Sequence, residues 1–274
     1  MPLSSDYSEK LRRARGHLED LNTRNENFFK KDHYTAITEE DPEGGPNSFQ
    51  VRVIADPPDK DFPVTAGDVL HNLRGTLDHL VYTMAVKAAA PKPISQDIAQ
   101  NSEFPIIGDI NAKGRAGSGS RMFKVARAVK LQGIPPKAQT IIEGLQPYTR
   151  GNDFKTHPLW ALHELSNIDK HRTLLVGTMS NAAAMLLPDQ SFNYTFIRDI
   201  TPIYGVLLEP EAVIVRYAAV PTDPSQKMQV KFDPILHIVF NCRSSVDGEN
   251  TLGVLFKIAE FVENQVIPPL KKFL

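Results

Sequence analysis

The sequence has little cysteine, almost no net charge and no long run of apolar residues. Its one cysteine, Cys242, has no partner within the chain, which excludes a small scaffold held together by disulfide bonds. The 31 basic residues nearly balance the 32 acidic ones, so no overall field draws the chain onto nucleic acid or an anionic membrane. No stretch approaches the roughly 20 consecutive apolar residues of a membrane-spanning helix, and the first residues lack the apolar segment of a secretory signal. We therefore expect a cytoplasmic protein without a membrane partner.

The overall composition is that of an ordinary globular protein. The 274 residues are 41% hydrophobic and 23% charged, which is enough apolar material for a sizeable core. This excludes a disordered, collagen-like or coiled-coil protein. We expect residues 1–274 to form a single domain.

Hydrophobic periodicity predicts both helices and strands. A period near 3.6 predicts four long helices, at about 6–30, 66–90, 158–175 and 251–266. Alternating residues predict a strand at 49–55 and an antiparallel sheet over about 183–241. Residues 91–156 are predicted to be an irregular connection with short helices near 121–130 and 135–145. The expected fold class is α+β, with a four-helix core and an antiparallel β-meander inserted before the last helix.

One stretch departs from the balanced charge of the chain. Residues 111–137 contain no acid and seven basic residues, namely Lys113, Arg115, Arg121, Lys124, Arg127, Lys130 and Lys137. The stretch is either a cationic face, which would suit RNA, or a solvated surface segment.

The second predicted helix carries the sequence HNLRGTLDH at 71–79. At about 100° per residue, His71, Arg74 and Asp78 form a polar stripe beside the leucines of this helix. Arg74 and Asp78 are four residues apart and can form an ion pair. His79 lies about 140° around the helix from Arg74.

The third predicted helix carries a similar group near its end. Arg172 is expected in the middle of its apolar face, with Asp169 at the edge, and a buried charge of this kind needs a partner. If the two helices face each other, their polar groups converge. The simplest outcome is a buried ion network, with Arg172 paired to Asp78 or Asp169 and Arg74 paired to Asp78, which needs no ligand.

Arg74 and His79 also permit a reaction. An arginine can hold a phosphodiester with two hydrogen bonds, and a histidine can serve as general acid or base near neutral pH. In these residues the sequence resembles the HEPN families, whose motif is an arginine followed after four to six residues by a histidine on a bundle helix, often across a dimer interface. The resemblance implies a metal-independent ribonuclease in which Arg74 binds phosphate, His79 transfers the proton, and Asp78 and Asn72 orient them.

The same resemblance implies RNA or another phosphate-bearing ligand, and a homodimer, with no cofactor. Two further residues of the third helix, His171 and Arg172, are secondary candidates for the site. The wider pattern, HNLRxxLDH upstream and NxIDKHR downstream, is also similar to a group of uncharacterised bacterial proteins, which supplies no activity.

Two alternatives remain open at this point. The first is a noncatalytic protein that binds a ligand or a partner and whose Arg/Asp/His network is structural. The second is a metal-dependent hydrolase or oxygenase, because the cores of helical bundles can hold metals between facing histidines and carboxylates. Its ligands would come from His71, His79, His163, Glu164, Asp169 and His171.

Overall fold

A computed structural model describes residues 5–30, 34–109, 118–172, 174–187, 194–203, 206–208, 211–221 and 231–274. Its α-helices are α1 (Ser5–Lys30), α2 (Asp61–Ala89), α3 (Gln96–Asn101), α4 (Gly119–Lys130), α5 (Pro136–Gly144), α6 (Pro158–His171), α7 (Thr251–Phe261) and α8 (Ile267–Leu270). Shorter helical turns are the 3-10 segments Pro147–Thr156 and Lys271–Phe273 and the π-helix Val262–Val266. Within the described residues, no helix combines the length and the apolar character needed to cross a bilayer.

The strands form two antiparallel sheets. They are β1 (Tyr34–Glu40), β2 (Ser48–Ala55), β3 (Val176–Leu187), β4 (Tyr194–Pro202), β5 (Val206–Leu207), β6 (Glu211–Pro221) and β7 (Lys231–Phe240). One sheet has the order β1-β2-β6-β4 and the other the order β5-β3-β7. The registers place Val51 opposite Val215 in the first sheet and Thr178 opposite Ile238 in the second. The predicted α+β class is confirmed.

The predicted meander is wrong in its connectivity. The strand β3 pairs with β7 rather than with the next strand in the chain, and β6 pairs with both β4 and β2. The β1–β2 hairpin, which precedes α2, therefore extends the first sheet. Alternation along a strand reports which face is buried, but it carries no information about the neighbouring strand. Parts of the predicted sheet, at 188–193, 204–205, 209–210 and 222–230, lie outside the described residues.

Two predicted helix boundaries also differ. The helix α2 begins at Asp61 rather than near 66, because the buried Phe62 anchors an additional first turn and the Thr65 hydroxyl donates to the Asp61 carbonyl inside the helix, at 2.9 Å. The helix α6 ends at His171 rather than at 175. Arg172 is extended, with φ −164° and ψ 154°, and its backbone N–H closes the last turn on the Ile168 carbonyl.

The connection 91–156 is more regular than predicted. It contains α3, α4, α5 and two 3-10 turns that meet at Gly151, which has a φ of +57°. Proline begins α5, as expected from its fixed φ. Phe123 of α4 and Ile142 of α5 are fully buried, so these elements pack on the core instead of forming a loose loop.

The main apolar core lies among the helices. The four predicted long helices contribute buried leucines such as Leu18, Leu73, Leu162 and Leu255 to one cluster. The same cluster also takes in residues of α4 and α5 and the end of β7, so it is larger than the predicted four-helix core. A second, smaller cluster lies on the first sheet, around Val51, Val53, Ile214, Val215 and Tyr217.

Candidate functional site

The helices α2 and α6 lie against each other, which is the condition under which their polar groups can converge. At Gly67 of α2, a Cβ atom would lie 2.6 Å from Asp169 Oδ1 of α6, so the missing side chain permits the close approach. Burial, with the nearby charge of Asp68, raises the pKa of Asp169 above its ordinary value. Polar groups of the two helices therefore share one seam.

Arg74 lies at the centre of a charged cluster beside this seam. Its side chain is only 13% exposed. Its Nη2 donates to Asp78 Oδ1 at 3.0 Å, to Glu103 Oε1 at 2.6 Å and to the Phe104 carbonyl at 2.7 Å. The predicted ion pair of Arg74 with Asp78 is present, but two of the three acceptors come from the segment 102–109, which the sequence analysis did not connect with this helix. Arg74 therefore holds that segment against α2.

The two carboxylates of the cluster also hold backbone and side chains from other elements. Asp78 Oδ1 accepts from the Phe104 N–H at 3.0 Å, and Glu103 Oε2 pairs with Lys130 of α4 at 2.8 Å. Burial raises the pKa of Asp78, although the Arg74 charge opposes this. Burial also acts to raise the pKa of Glu103, but the hydrogen bond from Lys130 and the charge of Arg74 outweigh it, and that pKa lies below its ordinary value.

Carboxylates with pKa values moved in opposite directions occur both in active sites and in structural ion networks. Here Asp78 and Glu103 accept hydrogen bonds from the protein itself, as does the Phe104 carbonyl. A phosphate group would have to displace Glu103 to reach Arg74 Nη2. The hydrogen bonds and ion pairs of Arg74, Asp78, Glu103 and Lys130 join α2, α4 and the segment 102–109, and this cluster is called the latch.

The other candidates on α2, Asn72 and His79, accept no hydrogen bond from Arg74. Asn72 is buried, and its Nδ2 donates to the Asp68 carbonyl of the same helix at 2.8 Å. His79 is partly buried, and none of the hydrogen bonds of Arg74 goes to it. The structure thus brings Arg74 and Asp78 together but leaves Asn72 bound to its own helix.

Arg172 is not buried in an apolar face, and this prediction is wrong. The helix α6 ends one residue earlier, so the extended backbone carries Arg172 to an exposed position. It forms no ion pair with Asp78 or Asp169, and within the described residues its guanidinium has no hydrogen-bond partner. His171, the last residue of α6, is also exposed.

Arg172 instead lines a groove of about 340 Å³ between the end of α6 and the loop 241–248. Arg243 lines the same groove, together with Ile168, Leu175 and Cys242. Arg243 is exposed, and within the described residues its guanidinium is likewise unpaired. This groove is named the arginine groove below.

Hydrogen bonds fix the conformation of the loop 241–248 beside the arginine groove. The Asp247 Oδ1 accepts from the backbone N–H groups of Cys242 at 2.8 Å and of Arg243 at 3.3 Å, which supports the left-handed conformation of Arg243 (φ +50°). Glu164 Oε2 of α6 accepts from the Ser245 N–H at 2.9 Å. Burial raises the pKa of the Cys242 thiol, so this cysteine is a poor nucleophile.

The proposed metal ligands are not gathered in one place. Among the residues that the structure describes, no group of three or more histidine, cysteine or acidic side chains could hold a metal ion. His163 Nε2 contacts Asn167 Nδ2 at 3.1 Å, and burial, followed by the Arg74 charge, lowers the pKa of His163. Glu164 is engaged with the loop 241–248.

Within the described part of the basic stretch, residues 118–137, the basic side chains do not all share one free cationic face. Arg121 and Lys124 of α4 are exposed, whereas Lys130 pairs with Glu103 and Arg127 Nε donates to Gln139 Oε1 at 2.6 Å. Lys113 and Arg115 lie outside the described residues.

Three residues of these sites were missed by the sequence analysis: Glu103, Phe104 and Arg243. Each lies in a stretch without periodicity and reaches its neighbours only through the fold, so no local pattern identifies it. The chain matches no model of a known protein family, no curated protein and no solved structure.

Proposed function

We propose that the chain is a noncatalytic protein that binds a phosphate-bearing ligand in the arginine groove. The observation that carries the proposal is the pair of exposed arginines, Arg172 and Arg243, on one groove without any partner among the described residues. Two guanidinium groups can each make paired, charge-assisted hydrogen bonds to phosphate oxygens.

The shape of the groove suits a small ligand. A volume of about 340 Å³ lies at the lower end of the range for ligand pockets. Leu175 is 56% exposed and Ile168 is half-buried, so both offer apolar surface to the part of the ligand that carries the phosphate. These features favour a phosphate ester or diphosphate over a polyanion such as duplex RNA.

The hydrogen bonds that Arg74 makes within the protein weigh against a ribonuclease site at this residue. All three hydrogen bonds of Arg74 come from Nη2, and a phosphodiester at that nitrogen would have to replace Glu103 or the Phe104 carbonyl, which attach the segment 102–109 to α2. The HEPN-type activity therefore stays a prediction, as does the homodimer, for which light scattering of the purified chain is the test. We also propose a cytoplasmic location, which suits the single reduced thiol of Cys242.

Calorimetric titration with inorganic pyrophosphate tests the binding proposal. We expect Arg172→Gln and Arg243→Gln each to weaken binding at least about tenfold, because a charge-assisted hydrogen bond contributes roughly 1.5–3 kcal/mol and about 1.4 kcal/mol is tenfold in affinity. The matched control is Arg13→Gln, which changes an exposed arginine of α1. Absence of binding, or equal binding by the double variant, would contradict the proposal.

Incubation with single-stranded RNA in the presence of EDTA tests the competing activity. The noncatalytic proposal expects no cleavage by the wild-type chain. Cleavage that is lost in His79→Ala, with the unfolding temperature unchanged, would instead establish the ribonuclease.

A further inference from the structure

A second groove is lined by Ser245 and Val246 of the loop that borders the arginine groove. It has a volume of about 370 Å³ and runs between the start of α6 and the helix α7. This groove, named the lysine groove below, shares no lining residue with the arginine groove. A ligand can therefore bind in this groove independently of one in the arginine groove.

The floor of the lysine groove is apolar. It is formed by Ala161 of α6, Val246 of the loop, and Val254 and Ile258 of α7. All four side chains are buried by their other neighbours, so the floor is part of the packed core and keeps its shape. An apolar group of a ligand laid on this floor would lose contact with water on the side that faces the floor.

The rim of the groove carries an excess of positive charge. Lys155 and Lys257 both line it and are exposed. Glu249 lies 4.0 Å from the Lys257 ammonium, but no carboxylate within the described residues pairs with Lys155. The rim therefore favours a ligand with one negative charge at its end.

A hydroxyl group at the groove has an unsatisfied hydrogen-bonding capacity. Ser245 lines the groove, and its buried Oγ has no hydrogen-bond partner among the described residues. The hydrogen bond from its backbone N–H to Glu164 fixes the residue in place. Its Oγ has less than 1 Å² of accessible surface, so a ligand in the groove meets the rim lysines rather than this hydroxyl.

We propose that the lysine groove binds a small amphipathic carboxylic acid. The apolar tail lies on the floor formed by α6 and α7. The carboxylate lies at the rim, where Lys155 and Lys257 neutralise it.

Titration with octanoate and with its uncharged analogue octanamide tests this proposal, with binding followed by calorimetry. We expect octanoate to bind at least tenfold more tightly than octanamide, because only the carboxylate meets the lysines. Butanoate should bind at least tenfold more weakly than octanoate, since it lacks four methylene groups that the floor would cover.

Variants of the rim lysines test whether octanoate binds in the lysine groove. We expect the double variant Lys155→Gln/Lys257→Gln to bind octanoate no more tightly than octanamide. The matched control is Lys60→Gln/Lys124→Gln, which removes two exposed lysines elsewhere and should bind as the wild type does. Arg172→Gln/Arg243→Gln should also leave octanoate binding unchanged, which separates this site from the arginine groove.

Three results would overturn the proposal. The first is no octanoate binding up to about 10 mM, the weakest affinity expected of a ligand of this size. The second is equal affinity for octanoate and octanamide. The third is octanoate binding that survives the loss of both rim lysines.

Discussion

Arg74 and Arg172 show how the surroundings of a residue decide its role. Both follow an apolar helical pattern and both were expected in one ion network. Arg74 is nearly buried and meets two carboxylates and a carbonyl, whereas Arg172 follows the end of α6 and faces solvent. The difference arises because α6 ends at His171, so the backbone at Arg172 leaves the helical path.

The contrast predicts very different stability effects for the two arginines. We expect Arg74→Ala to lower the free energy of unfolding by roughly 2–4 kcal/mol, because Asp78 and Glu103 lose their shared cation while remaining partly buried. Arg172→Ala should change it by less than about 0.5 kcal/mol, as is usual for exposed positions. Urea unfolding of both variants provides the measurement. Similar losses of unfolding free energy in the two variants would contradict the structural role of Arg74 alone. They would instead support the predicted ion network that contains both arginines.

Glycines mark the places where elements approach each other too closely for a side chain. Gly119 begins α4, where a Cβ atom would overlap Tyr148 Cβ and lie 3.0 Å from the Gly108 carbonyl oxygen. Gly16 lies within α1 and is exposed, with no atom within 4 Å of a Cβ placed there. Glycine thus permits close packing at the start of α4. In α1 it only lowers the stability of the helix.

We therefore expect alanine substitutions at the two glycines to change the stability of the protein in opposite directions. Gly119→Ala should destabilise the protein by about 1–3 kcal/mol, since the first turn of α4 must move away from the 3-10 segment. Gly16→Ala should stabilise it by up to about 1 kcal/mol through helix propensity alone. Thermal unfolding compares both with the wild type. A stabilising Gly119→Ala would show that α4 does not pack as described.

A buried histidine links several elements of the whole molecule. His157 lies between the 3-10 segment and α6, and its Nδ1 accepts from the Leu159 N–H at 3.1 Å. Its ring packs edge-on against Phe261 of α7, with the ring centroids 4.8 Å apart. Burial, followed by the charge of Arg150, lowers the pKa of His157 from 6.5 to about 4. The folded molecule therefore holds this side chain neutral.

This pKa predicts a loss of stability in mild acid. The unfolded chain takes up the proton near pH 6.5 and the folded chain only near pH 4, so the contribution is present above pH 6.5 and falls as the pH falls between these values. At about 1.4 kcal/mol per pKa unit, the full loss is roughly 3 kcal/mol. Urea unfolding across this range, compared between wild type and His157→Asn, provides the measurement. The asparagine keeps an acceptor for the helix but does not titrate, so an unchanged pH dependence in the variant would contradict the assignment.

At the scale of the whole molecule, local patterns were sufficient for the long helices, for one strand and for one ion pair within a helix. Amphipathic periodicity located the four long helices, alternation located β2, and a four-residue spacing identified the pair of Arg74 and Asp78. These features depend on residues within a few turns of one another, and the geometry of a single helix or strand determines them.

Only the tertiary structure decided the strand order, the latch and the two grooves. Glu103 reaches Arg74, and Arg243 lies beside Arg172, across long stretches of chain that no periodicity relates. Sheet pairing and the end of α6 likewise depend on which surfaces bury each other. The sequence by itself determined the four long helices, the strand β2 and one ion pair, because those are local. The binding surfaces came from the fold, because packing alone sets which distant residues become neighbours and which charges stay without a partner.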